Sequence, residues 1–102
     1  MCLLFLTCAN NKEADKIAKA LLKNQLIVCS KKTPVSSSFL WQGKIDSSKE
    51  VLLIMDSVES KFKQIEKQVK KLHSYDTPVL VSLPISQASS GVATWMKKEL
   101  NE

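Results

Sequence analysis

The sequence predicts an α+β domain with the element order β-α-β-β-α-β and a short closing helix. Two observations carry that order. Apolar runs of strand length recur at residues 3–8 (LLFLTC), 50–55 (EVLLIM) and 79–85 (VLVSLPI). Between them lie two longer segments whose apolar residues repeat every three or four positions, the spacing of an amphipathic helix.

The first run is continuous, as expected of a central strand buried on both faces. It could pass for the apolar part of an export signal, but it has no basic leader and runs into Asn-Asn-Lys-Glu, so it is read as a strand. A helix follows. Asn10 is placed to cap it, Glu13 stands three residues on as in a capping box, and Ala14, Ile17, Ala18, Leu21 and Leu22 form its apolar stripe. Asn24 is expected to end it, and Leu26 to Ser30 reads as a second strand.

Residues 31–38 lose apolar content and contain Pro34, which has no N–H for a ladder, so a bend or an edge segment is expected there. Extended structure resumes at Phe39–Ile45, and Asp46-Ser47-Ser48-Lys49 has the polarity and length of a hairpin turn. After the strand at 50–55, Ser57 is expected to cap a second helix with Val58, Phe62, Ile65, Val69 and Leu72 inside. Lys67, Lys70 and Lys71 crowd its end, where cations suit the helix dipole. Pro84 argues that the last strand is an edge. Gln87–Gly91 reads as a loop, and Val92, Trp95, Met96 and Leu100 form the closing helix.

Four strands and two crossover helices in this order make a ferredoxin-like sandwich, helices on one face of an antiparallel sheet, in a single domain over 1–102. A smaller α/β arrangement with a parallel pair is the alternative. In the sandwich, Cys8 and the segment Leu72-His73-Ser74-Tyr75-Asp76-Thr77-Pro78 meet at one end of the sheet, and Cys29 falls at the other. The hairpin carrying Phe39, Trp41, Gly43 and Lys44 is long enough to project from its own sheet as an arm, which calls for a partner chain.

Composition narrows the function classes. The net charge of +5 is the balance of fifteen basic residues, all lysine, against ten acidic ones. Without arginine the bidentate reading of base edges and phosphates is disfavoured, and no nucleic-acid partner is expected. An RNA-recognition module shares the element order, but its stacking aromatics are represented only by Phe5. No apolar run is long enough to span a bilayer. Three cysteines, an odd number with no CxxC pair, fit a reducing cytoplasm better than a disulfide framework or a structural zinc site. No nucleophile set, phosphate-binding glycine loop or paired acids assign a reaction, so the chain reads as a non-enzyme.

Trp-x-Gly-Lys-Ile at 41–45, Glu-Val-Leu-Leu-Ile at 50–54, Leu-His-x-Tyr-x-x-Pro at 72–78, Leu-Pro-Ile at 83–85 and Trp95 occur in the order and spacing of the CutA family, the divalent-ion tolerance proteins. The chain resembles that family over nearly its whole length. The resemblance implies a cytoplasmic homotrimer of ferredoxin-like subunits, similar in architecture to the PII signalling proteins, concerned with copper and other divalent cations and without an established reaction. It further implies a weak metal site on the histidine of the H-x-Y motif and a first-strand cysteine. His73 matches the histidine, Cys8 lies two residues beyond the aligned Leu6 on the same face, and Cys29 matches a cysteine found after the first helix in many members. The chain departs from the family pattern at Gln42, at Asp56-Ser57 and at Val79-Leu80.

His73 therefore has two readings, a ligand for a soft cation or a cap on the second helix. Tyr75, Trp41, Gly43 and Lys44 are expected to line a cleft between subunits. A PII-like module sensing a small anion there is the alternative function.

Overall fold

A computed structural model describes residues Met1–Glu102, and it has the expected sandwich. Strand β1 spans Cys2–Cys8, helix α1 Asn11–Lys23, β2 Cys29–Trp41, β3 Lys44–Ser57, α2 Phe62–Leu72, β4 Leu80–Pro84 and α3 Val92–Leu100. The sheet order is β2-β3-β1-β4, and all three pairings are antiparallel, which rules out the parallel alternative.

Alternation along the strands decides which face is the core. On β1, Cys2, Leu4, Leu6 and Cys8 are buried, and they register with Ser57, Met55, Leu53 and Val51 of β3. Ala14, Ile17 and Leu21 of α1 and Ile65 and Val69 of α2 close this side. The opposite face holds Leu3, Phe5, Leu52 and Ile54, only partly covered, with Val81 and Leu83 of β4 exposed beside them. A sheet face this apolar without helices on it is the kind of surface that associates.

Helix α1 begins as expected: Asn10 accepts from the Glu13 N–H at 2.9 Å. It ends at Asn24, whose side chain donates to the Ala20 carbonyl at 2.8 Å, and Gln25 turns left-handed at φ 55°. That reversal sends Leu26 and Ile27 into the core as a loop, so the second strand starts at Cys29 rather than at Leu26.

The hairpin differs from expectation. Residues 31–38 do not bend; β2 runs unbroken from Cys29 to Trp41 and pairs residue for residue with β3 from Ser57's neighbour Asp56 back to Lys44. Pro34 is accommodated because β2 is an edge strand. The turn is Gln42-Gly43, with φ of 51° and 77°, as a primed two-residue turn requires, and not Asp46–Lys49. Those four polar residues lie within β3, where the arm meets solvent on both faces and needs no alternation.

Ser57 also departs from its expected role. It is buried at the end of β3, its hydroxyl donating to the Leu26 carbonyl at 2.5 Å, and α2 starts instead through a 3-10 turn at Glu59–Lys61 without a side-chain cap. In α3, Met96 and Leu100 are buried while Trp95 stays half-exposed. No helix is long and apolar enough to cross a membrane.

Candidate metal centre

The end of β1, the first turn of α1 and the end of α2 converge. β1 delivers Cys8, fully buried on the helix-facing side. Only Ala9 and the Asn10 cap separate β1 from α1, so Glu13 in the first turn points back over the strand end. Its carboxylate accepts from the Ala9 N–H at 3.2 Å and, across the fold, from the Ser74 N–H at 3.1 Å.

His73 ends α2. Its own N–H completes the helix on the Val69 carbonyl at 2.8 Å, but its ring turns away toward β1. Nδ1 accepts from the Tyr75 N–H at 3.1 Å, so the ring hydrogen belongs on Nε2, which faces the Thr7 carbonyl at 2.8 Å and Glu13 Oε1 at 3.3 Å. The ring is thus a tie between helix and strand, and it does not cap the α2 carbonyls as an imidazolium.

One donor atom from each of Cys8, Glu13 and His73 lies within 4.8 Å of the others. Thiolate, carboxylate and imidazole form a set suited to copper or zinc, whose bonds to such donors run near 2.0–2.3 Å, so modest rotations would gather the three around one ion. The set also resists. Burial, with Glu13 and Glu50 nearby, pushes the Cys8 thiol up to about 12. Burial would raise the Glu13 carboxyl too, but its bonds from Ser74 and Ala9 and the neighbouring His73 hold it below its ordinary value. An ion would have to displace the Cys8 proton and take Nε2 from Thr7.

Tyr75 lies beside this group, its ring centroid 4.7 Å from that of His73 and its hydroxyl donating to Glu50 Oε2 at 2.6 Å. Burial and Glu50 push its phenol up to about 12. Trp41, Gly43 and Lys44 are elsewhere, at the arm tip, six residues along β3 from Glu50. Within one subunit they do not meet Tyr75. Cys29 sits at the far end of the sheet, with Lys31 Nζ 3.4 Å from its sulfur. Glu13 is the residue sequence reasoning missed, because a glutamate three residues after an Asn cap already has a local purpose. The tight strand-to-helix turn was the available signal, since it folds that first turn back onto the strand end.

The family model for the CutA1 divalent ion tolerance protein matches residues 2–99. The chain belongs to this family. Among its CutA relatives, the divalent-cation tolerance protein CutA of Archaeoglobus fulgidus is 33% identical over 93 residues, covering 91% of each chain. Human protein CutA is 30% identical over 95 residues, covering 92% of this chain but 53% of its own length. The solved structure of the Archaeoglobus fulgidus protein, described as a periplasmic divalent cation tolerance protein, superposes with a TM-score of 0.95 at 32% identity over 98% of this chain and 99% of that one. The structure of the Thermus thermophilus divalent cation tolerance protein gives 0.94 at 30% identity over 97% and 98%.

Proposed function

We propose that this CutA chain serves divalent-cation tolerance as a cytoplasmic homotrimer that binds copper, or another cation of similar softness, weakly at Cys8, Glu13 and His73. The observation that carries the reading is the convergence of a thiol, a carboxylate and an imidazole within 4.8 Å at one end of the sheet. Weakness follows from the protons and hydrogen bonds the ion must displace. The assembly is supported by the uncovered apolar sheet face and by the arm, whose Leu40, Trp41 and Ile45 are 76%, 63% and 84% exposed. The free thiols of Cys2, Cys8 and Cys29 suit a reducing compartment. The role is binding, with no catalytic step.

In such a trimer a neighbour's arm could bring Trp41, Gly43 and Lys44 to Tyr75. That arrangement is the second reading, a PII-like cleft for a small anion, favoured by the exposure of those residues at the tip.

Copper titration of the full chain by calorimetry tests the first reading, with Cys8→Ser and Glu13→Gln beside the parent. Cys8→Ser keeps the volume of the site while removing the soft ligand. Saturable binding in the parent that weakens in both variants supports the site. Equal binding by all three proteins overturns it, as does no binding by the parent.

A further inference from the structure

A second concavity lies away from the Cys8 end. Helix α1 covers β1 and β3 and leaves the helix-facing side of the edge strand β2 open, forming a groove of about 670 Å³. That volume lies within the usual range for small-molecule sites. Asp15, Ala18, Lys19 and Leu22 enter it from α1 at spacings of three, four and seven, one stripe of the helix. Ser30 and Lys32 enter from β2, whose register with Met55 and Leu53 puts them on the helix-facing side.

The lining has two parts. Lys19, Lys23 and Lys32 stand against a single acid, Asp15, which is paired to Lys32 at 2.7 Å. Lys19 and Lys23 form no ion pair, so the rim holds two free cations. Below them the floor is apolar. Leu22, 42% exposed, also borders a smaller hollow of about 300 Å³, where Ile27, Val28 and Trp95, itself 45% exposed, supply the apolar lining and Gln25 and Glu99 the polar lining at the end away from the lysines. Cations at one end and a partly open leucine-to-tryptophan track leading from them are complementary to one kind of molecule.

We propose that this groove binds a free amphiphilic carboxylate, with the carboxylate between Lys19 and Lys23 and the apolar body over Leu22 toward Trp95. An inorganic anion leaves the apolar track unused. A cationic or neutral amphiphile leaves the lysines uncompensated. The site is separate from the Cys8–Glu13–His73 group and stands or falls independently of metal binding there.

The test is calorimetric titration of the full chain with sodium decanoate below its micellar concentration. Decyltrimethylammonium serves as the same chain with opposite charge, and acetate as the same head without the chain. Saturable decanoate binding is expected, weakened about tenfold by Lys19→Gln with Lys23→Gln, since two attractive charges are lost. Leu22→Ser should weaken it too, and Trp95→Phe should abolish the accompanying fluorescence change. All of these residues are exposed, so the variants should fold, and unchanged circular dichroism and urea denaturation midpoints check this. Absence of saturable decanoate binding overturns the proposal. So does undiminished binding by the double lysine variant, or equal binding of the cationic amphiphile or of acetate.

Discussion

His73 Nε2 lies 2.8 Å from the Thr7 carbonyl oxygen and so joins the end of α2 to the end of β1 across sixty-six residues of chain. The ring is buried, and its other nitrogen holds the Tyr75 N–H at 3.1 Å. Replacing it removes both bonds and leaves a void beside Cys8. His73→Ala is expected to cost about 2–4 kcal/mol, combining truncation of a buried side chain with unpaired backbone groups. Urea denaturation measures it. A cost within about 0.5 kcal/mol, the range of ordinary surface substitutions, would show that the ring is not a tie.

Glu13 makes the same junction sensitive to acid. Its carboxyl is held below the ordinary 4.5 against the contrary pull of burial. A group whose folded pKa is lowered contributes stability above its unfolded value and loses it as pH falls through the folded one. Parent stability should therefore decline as pH drops below about 4.5. Glu13→Gln should flatten that part of the decline and cost about 1.5–3 kcal/mol at neutral pH. Denaturation midpoints measured for both proteins between neutral and acid pH decide it, and parallel curves would contradict the assignment.

Much of this geometry could be read in advance, and the gaps have physical causes. The apolar runs and helical stripes placed seven elements in order because burial on one face imposes a period on sequence. The meeting of Cys8 and His73 followed from topology alone. The hairpin turn did not, because Asp46–Lys49 is polar in the outer half of β3, which buries nothing before Val51, while the true turn has only one glycine, Gly43, inside an otherwise strand-like WQGKI. Ser57 was similarly ambiguous, since a serine before a helix looks like a cap until the Leu26 carbonyl is known to lie beside it.

Tyr75 supplies a direct optical check, being the only tyrosine in the chain. Its burial and its bond to Glu50 place the phenol at about 12, raised from 10.0. A raised folded pKa contributes stability that is fully present below the unfolded value and is lost as pH rises through the folded one. Phenolate absorbance of the folded protein should thus appear near pH 12, and near 10 in denaturant. Tyr75→Phe should cost about 1–2 kcal/mol at neutral pH by leaving Glu50 without its hydroxyl donor.

The three thiols should react in a definite order. Cys2 and Cys8 are buried and both thiols are raised, chiefly by that burial, Cys8 to about 12. Cys29 is half-buried, with the Lys31 ammonium 3.4 Å from its sulfur. Since the thiolate is the nucleophile, iodoacetamide at neutral pH should label Cys29 first, with Cys2 and Cys8 protected until the chain unfolds. Peptide mapping by mass spectrometry reads the order. Early labelling of Cys8 would mean that the strand end opens readily.

The arm should govern assembly without governing the fold. Buried residues on β3 begin at Val51, so the stretch from Lys44 to Glu50 projects roughly 20 Å beyond the core at the rise of a strand, and the subunit measures 45 × 26 × 21 Å. Leu40, Trp41 and Ile45 at its tip touch nothing that the core needs. Replacing all three with serine should therefore leave circular dichroism and the Tyr75 titration in place while lowering the mass in solution below that of the parent. Light scattering coupled to gel filtration makes the comparison. A monomeric parent would overturn the proposed trimer; if the parent assembles and the variant keeps its mass, the tip has no part in assembly and the apolar face of Leu3, Phe5 and Ile54 becomes the surface to alter next.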